Sequence, residues 1–506
     1  MVSIDEMATF CKRRGFVFPN SEIYGGLAGF YDYGPLGVEL KNNLKNEWWK
    51  NHVQERSDVV GIDGSIISHH KVWEASGHVS NFDDIMVECS KCSARHRGDH
   101  LIEELLKINA EGLSKEDVNK LIKENNVKCP DCNGKLREAK PFNLMFKTTI
   151  GPVAEDSSIA YLRPETAQHI FTNFKNILET SRVKLPFGVA QIGRAFRNEI
   201  SPRGFLFRCR EFEMMEIEYF VNPKDADNCP YIKEVENHEV FVYSAEMQKK
   251  KGKEEKMKIK DALKKGIIKT QWHAYWLAKE HLWFIGLGAD KNNFRIRQHL
   301  EKEKSHYAQD TWDLEYKFPF GWKELQGISN RVDFDLKQHI KFSGKKLEVF
   351  DEETKKGVVP YVIAEPSLGV DRTFLVFLFD AYTYDQKREN IVLKLHPKLA
   401  PVKLGIFSLV NKLDEEAKKV FEDLKSEFNC FYDSKGSIGR RYARQDEIGT
   451  PYCITLDFDS LKKGDVTLRD RDTTNQIRVK RNKLKEIIGK LLNNQIKFED
   501  AGISFL

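Results

Sequence analysis

Apolar residues recur at helical spacing from Gly37 to Arg56, including Val38, Leu40, Trp48 and Trp49, and no proline interrupts them; the spacing predicts a long amphipathic helix. An extended segment is expected over 59–68, and a second helix over 101–124. Residues 187–196 and 211–221 alternate or run apolar and bracket a polar, arginine-rich loop, which predicts two antiparallel strands with a long connection. A buried strand is expected at 358–364, followed by an apolar helix over 370–381. Between Lys249 and Lys265 lysines crowd a helix-like stretch broken by Gly252, expected to be a solvated face, with RNA backbone contact as the sharper alternative. Pro397 and Pro401 mark a boundary. Beyond it, strand-like 403–410, 430–432, 452–456 and 465–469 mix with helical 415–428 and 481–492, the pattern of a separate α/β unit of about a hundred residues.

Composition adds limits. A chain of 506 residues implies two to four folded units, and 41% hydrophobic residues suffice for sizeable cores. No apolar run reaches the length of a membrane span, and the acidic start Met1–Met7 lacks a secretory pattern, so a cytoplasmic protein without membrane association is expected. The net charge of +5 permits a nucleic-acid partner without arguing for one. Nine cysteines, an odd number, speak against a disulfide framework. Four of them form Cys89-x2-Cys92 and Cys129-x2-Cys132. Two such knuckles converge four thiolates on one ion, the closed set favoured by structural Zn2+, and the helix expected between them accounts for the long spacing. Adjacent His69 and His70 cannot easily share one ligand direction on a strand, and a structural role is expected for them.

No Walker A loop is present, because every Gly-Lys pair is followed by Leu, Lys or Glu. The most informative segment is 193–212, where Arg197 and Glu199, two apart on a strand, would share one face, and Arg203, Arg208 and Arg210 follow before Phe212. Guanidinium groups clamp phosphates or carboxylates, a carboxylate accepts from an exocyclic amine, and an aromatic ring stacks on a base. An ion-paired hairpin without ligand is the plain alternative.

This segment resembles motif 2 of the class II aminoacyl-tRNA synthetases, and Glu365-Pro366-Ser367-Leu368-Gly369-Val370-Asp371-Arg372 resembles their motif 3. With Tyr161–Gln168, Gly321–Ile328 and the Gly25–Pro35 block, the resemblance extends over nearly the whole chain and is strongest to the homodimeric glycyl-tRNA synthetases. It implies an α+β fold: an antiparallel-sheet catalytic core (1–85 and 148–397, the latter with an insertion about 222–268), a four-cysteine zinc insertion at 86–147, and an anticodon-binding domain at 398–506. It implies activation of glycine by ATP with Mg2+, transfer to the 3′ end of tRNA(Gly), structural Zn2+ and a homodimer. Arg197 would hold the α-phosphate and the substrate carboxylate. Asn198, Glu199 and the segment Phe207, Arg208, Cys209, Arg210, Glu211 and Phe212 would seat adenine. Phe212 and Arg372 would sandwich the base, Arg372 would also reach the γ-phosphate, Gly369 would adjoin it, and Glu324 and Leu325 would lie beside ATP, with Glu324 facing Mg2+. Glu165 and Glu216 would take the ammonium of glycine; Ser367, with Glu365, Pro366, Phe212 and Gly369, would complete the pocket, and Arg97 matches a substrate-contacting arginine of the family.

One departure is the absence of the proline expected to end motif 1, where Ile67-Ser68-His69-His70 stands. The competing readings are a catalytically silent, synthetase-like protein that binds zinc and tRNA, a zinc-dependent RNA-binding protein, and a sister synthetase for serine, threonine or proline. In the C-terminal unit, the basic and aromatic run 435–444 is suited to phosphate contact and base stacking on single-stranded RNA loops, with a surface loop of ordinary charges as the plain alternative.

Overall fold

The computed structural model describes residues 2–108, 110, 112–152, 158–305 and 307–504. Among these, a nine-stranded sheet forms the centre, in the order Glu255–Lys258, Glu239–Tyr243, Phe294–Gln298, Asp310–Phe318, Gly321–Asn330, Tyr361–Gly369, Glu211–Val221, Phe187–Phe196 and Val59–Gly61. Its neighbours pair antiparallel except at Val59–Gly61 with Phe187–Phe196 and at Glu239–Tyr243 with Phe294–Gln298. The expected pair of long strands forms with register Phe187↔Phe220 through Phe196↔Glu211. Its β-branched and aromatic side chains pack against helix Gln271–Gly286, apolar on nearly every side and accordingly buried, with Trp272, Trp276 and Phe284 in the core.

Helix Pro35–Trp49 begins with proline in its first turn, where a missing N–H costs nothing, and continues as a π-helical turn over Lys50–Gln54. Gly37 lets it pack: a Cβ there would lie 1.8 Å from the Phe16 carbonyl oxygen. Tyr33, from the early glycine-rich block, donates to Asp371, whose other oxygen accepts from the Glu213 N–H at 2.8 Å. The N-terminal block is thereby tied to the long strand pair and to helix Val370–Ala381, which spans the residues the sequence assigns to it. The segment 59–68 divides into strands Val59–Gly61 and Ile67–His69, and His69 caps the helix His70–Ala75 by accepting from Lys71 N–H at 3.2 Å.

Three local expectations are corrected. The helix expected over 101–124 is two, Gly98–Leu106 and Lys115–Glu124. Lys107 ends the first in the left-handed region, and Ser114 opens the second through a reciprocal capping box with Asp117; residues 109 and 111 lie outside the described residues. The lysine-rich stretch holds the strand Glu255–Lys258 between short helices, because Met257 is drawn into the core at the edge of the central sheet. The run 435–444, whose plain alternative is a surface loop, is mostly helix, Ile438–Ile448. Its Arg441 is buried and donates to the Ser408 carbonyl at 2.6 Å, and its Tyr442 hydroxyl bonds Thr455, which leaves Lys435, Arg440 and Arg444 as the exposed cations.

The C-terminal unit is built on a six-stranded mixed sheet among the described residues, ordered Cys430–Tyr432, Leu404–Ser408, Tyr452–Leu456, Asp465–Asp470, Gln476–Lys480 and Ile503–Ser504, with its own apolar core. The cysteine-bearing insertion has a small sheet, Arg95–Arg97, Asp83–Glu88 and Lys140–Asn143, and a separate core around Val87, Ile102 and Val118. No helix of the described residues is long and apolar enough to cross a membrane.

Candidate active site and metal centre

Two adjoining cavities open on one face of the central sheet and share Arg197, Met214, Glu324 and Ser367. The smaller, about 130 Å³, is lined by Glu199, Phe207, Arg208, Cys209, Phe212, Leu325, Gly369 and Arg372. Arg197 and Glu199 lie just past the strand end rather than within it; the pairing runs one residue further, with Arg197 N–H on the Arg210 carbonyl at 2.9 Å. Arg208 reaches Glu199 at 3.3 Å. Arg372 donates to the carbonyls of Phe207 at 3.1 Å and Glu324 at 2.9 Å. Its guanidinium covers the Phe207 ring, while that of Arg197 covers Phe212. Three guanidiniums (Arg197, Arg208, Arg372) and two phenyl rings (Phe207, Phe212), with the carboxylates of Glu199, Glu324 and Asp371 at the margin, suit a base followed by phosphates.

The larger cavity, about 410 Å³, holds Glu165, Glu216, Glu365 and Ser367 at its acidic end. Pairing of Glu216 with Ser367 across adjacent strands sets two of these side by side. Glu216 accepts from the Thr166 N–H at 3.0 Å and from its hydroxyl; burial and the neighbouring Glu165 raise its pKa. Glu165 is also buried, which alone would push its pKa up, but His78 at 3.3 Å and Arg331 hold it low. At the other end, His299 pairs with Asp313 at 2.8 Å; burial opposes the imidazolium, yet Asp313 raises its pKa to about 9. Asp313 Oδ1 and Glu324 Oε1 converge over Gly327, at 3.9 and 3.7 Å from where a Cβ would stand. Two carboxylate oxygens over a residue without a side chain fit a hard divalent cation.

Beneath the acidic end lies a group that the sequence does not reveal. Arg331, 1% exposed, grips Asp335 through both oxygens at 2.7 and 2.9 Å and Glu365 at 2.6 Å, and stacks on Tyr307 at 3.9 Å. Glu218 sits next to Glu216 and Glu365 with both oxygens buried and without a hydrogen-bond partner; burial and Glu365 raise its pKa well above the ordinary value. His78, Arg331, Glu218, His299 and Asp313 stand outside every recognisable motif. The one available signal is that Glu218 and Asp313 are carboxylates in otherwise largely apolar strands; His78, His299 and Arg331 have polar neighbours and offer none.

The remaining predicted residues do not line these cavities. Arg97 is held by Asp84 at 3.1 Å and Asp99 at 2.8 Å in the insertion. Arg210 ties the arginine-rich loop to the N-terminal block through the Ala28 carbonyl at 3.0 Å. Asn198 bonds the Leu144 carbonyl through its N–H, Glu211 pairs with Arg194, and Pro366 lies within its strand opposite Ile328.

In the insertion, Cys89 and Cys132 bring their sulfurs to 3.5 Å, Cys92 and Cys129 theirs to 3.7 Å, and all four fall within 4.8 Å of one another. A tetrahedral ion with sulfur at about 2.3 Å requires sulfurs about 3.8 Å apart. A Cβ on Gly134 would lie 3.0 Å from the Cys89 sulfur and 3.1 Å from that of Cys132, so the knuckle admits only glycine there without displacement. The Cys92 and Lys91 N–H groups lower the Cys89 pKa to about 6, favouring thiolate. These residues fit a metal ion.

Residues 147–380 match the family model of the class II tRNA synthetase core domain (G, H, P, S and T), and residues 402–491 match that of the anticodon binding domain. The chain is 45% identical to the glycine–tRNA ligase of Caldanaerobacter subterraneus subsp. tengcongensis over 505 residues, 98% of this chain and 99% of that one. It is 46% identical to the glycine–tRNA ligases of Geobacillus thermodenitrificans (96% and 97% covered) and Bacillus anthracis (97% and 99% covered). With a core fold, an anticodon-binding unit and full-length identity of this order, the chain belongs to the glycine–tRNA ligase family of class II synthetases.

Proposed function

We propose that this protein activates glycine with ATP and transfers it to tRNA(Gly). The observation that carries the reading is the pair of joined cavities: a cationic, aromatic one suited to a nucleotide opens into an acidic one suited to a small ammonium, with Arg197 at the junction. Glu165 and Glu216 receive the ammonium, and Glu365 and Ser367 close the pocket behind it. Arg197 orients the glycine carboxylate toward the α-phosphate, and Arg372 neutralises the outer phosphates. Glu199, Phe207, Arg208 and Phe212 seat the base. The carboxylate oxygen attacks phosphorus and pyrophosphate leaves, so no protein nucleophile is needed, and positioning with cationic stabilisation carries the step. Glu324 and Asp313 would hold Mg2+, which when bound supplies further neutralisation of phosphate charge. The four cysteines hold Zn2+ as a structural ion, and the active species is a homodimer. The 3′ hydroxyl of tRNA then attacks the mixed anhydride and adenylate leaves.

A silent, RNA-binding protein would not require intact arginines at both phosphate positions. Glycine-dependent exchange of pyrophosphate into ATP tests the reading. It should be measurable in the unsubstituted protein and fall about 100-fold or more in Arg197→Ala, because a contact strengthened in the transition state is removed. Exchange at the unsubstituted level in a folded Arg197→Ala protein would overturn the residue assignment.

A further inference from the structure

The hairpin of strands Tyr382–Asp385 and Asn390–Leu393 grows directly from helix Val370–Ala381, whose first turn carries Arg372. Its tip is pressed against the C-terminal unit. There Arg388 donates from Nη1 to Asp446 Oδ2 at 3.1 Å and to the Arg471 carbonyl at 2.8 Å, and from Nη2 to the Asp472 carbonyl at 3.0 Å; its Nε pairs with Asp385 of its own hairpin at 3.1 Å. Asn390 adds a bond to the Ala443 carbonyl at 3.1 Å, and Arg14 pairs with Glu447 at 2.5 Å. All of these partners but the two carbonyls of 471–472 and Asp385 lie on helix Ile438–Ile448.

The receiving side is rigid. Asp446, 2% exposed, is gripped within its own unit by both Nη atoms of Arg469 at 2.9 Å, and Arg471 anchors the end of the same helix through the Gly449 carbonyl at 2.8 Å. The exposed cations Lys435, Arg440 and Arg444 flank the opposite, N-terminal end of this helix. One helix therefore presents cations at one end and is latched at the other to the hairpin that continues the Arg372 helix. A fixed guanidinium with three acceptors on the partner unit sets an orientation, not merely a contact.

We propose that Arg388 is an interdomain positioning residue for tRNA charging: it fixes the anticodon-binding unit relative to the helix that carries Arg372, so that a tRNA held at one unit delivers its 3′ end to the other. The proposal rests on the reading of function above. Arg388 touches neither cavity, and its removal opens neither apolar core, since Asp446 keeps Arg469. Arg388→Ala should lower kcat/KM for charging full-length tRNA(Gly) about tenfold, the scale of one well-placed charge-assisted contact, while glycine-dependent pyrophosphate exchange stays within about twofold. Arg388→Lys keeps a charge near Asp446 but cannot reach both carbonyls, and should fall between.

The decisive comparison uses a hairpin RNA made of the acceptor arm of tRNA(Gly) alone, which has no anticodon to bind. Its slow charging should be the same in Arg388→Ala and in the unsubstituted protein. Equal losses on full-length tRNA, acceptor hairpin and exchange would assign Arg388 to the integrity of the catalytic unit and overturn the proposal, as would full charging in Arg388→Ala. Absence of glycine-dependent exchange in the unsubstituted protein would instead overturn the functional reading.

Discussion

Arg331→Met tests whether the acidic end of the substrate cavity is held together electrostatically. The substitution keeps an unbranched apolar stem and removes the guanidinium. Three bonds vanish, two to Asp335 and one to Glu365, and the partial neutralisation of Glu165 at 3.9 Å is lost with them. Breaking a buried pair by removing one partner costs about 3–5 kcal/mol, far more than a surface ion pair, because the carboxylates left behind have no water to replace the lost charge. At roughly 2 cal/mol/K per residue, a catalytic unit of about 400 residues would lose about 5 °C in its thermal midpoint. The deficit should depend on pH in a definite sense. Burial, Glu216 and Glu165 already raise the Glu365 pKa, and Arg331 opposes them. A carboxyl whose pKa is higher in the fold than in the unfolded chain costs stability above its unfolded value, about 4.3, and nothing below it. Because Glu365 already stands well above its ordinary value with Arg331 present, its further rise widens the gap only above that folded value, whereas Glu165, which His78 and Arg331 hold low, loses its share only below about 4.3, so the gap to the unsubstituted protein should be level across about pH 5–7 and narrow below about pH 4.3. Thermal and urea melts from about pH 3.5 to 8 measure it, and the glycine KM in exchange should rise in parallel. A gap below about 1 kcal/mol at pH 7, or one independent of pH, would refute the reasoning.

Glu218→Gln should stabilise the protein at neutral pH, since it replaces a buried carboxyl with no partner, and the gain should fade as the pH falls below about 4.3, where the unfolded form too becomes protonated; a loss of stability at pH 7 would mean that Glu218 has a partner. Elemental analysis of untagged protein should find about one zinc per chain, and much less in Cys129→Ser, whose hydroxyl is a poor ligand; a zinc-free, folded and active protein would sink the metal assignment. Arg372→Ala should lower the rate of adenylate formation about 100-fold with the melting curve unchanged, and an unchanged rate would remove it from the phosphate site.

Elements whose signals are local were legible in the sequence, and groups assembled across the sheet were not. The strand pair 187–196 and 211–221 and the helix 370–381 have apolar patterns that no tertiary contact needs to override. The two cysteine pairs were legible through their spacing, and the arginine-rich segment through its resemblance to the family's motif. Arg331, His78 and His299 acquire meaning only when pairing brings Glu365, Glu165 and Asp313 to them from distant segments. The break between the two insertion helices had a readable signal in Ser114-x-x-Asp117, which a search for one continuous apolar face passes over. Helix Ile438–Ile448 was hidden by Gly436 and Gly439, which read as loop formers, and by a buried arginine that satisfies backbone carbonyls instead of facing solvent.

The most direct test of the central claim is ATP–pyrophosphate exchange measured with each of the twenty amino acids in turn. The account predicts exchange that depends on glycine and is weak or absent with the other amino acids, as membership of the glycine–tRNA ligase family implies. Exchange driven by a different amino acid, or none with glycine in folded and metal-loaded protein, would contradict it.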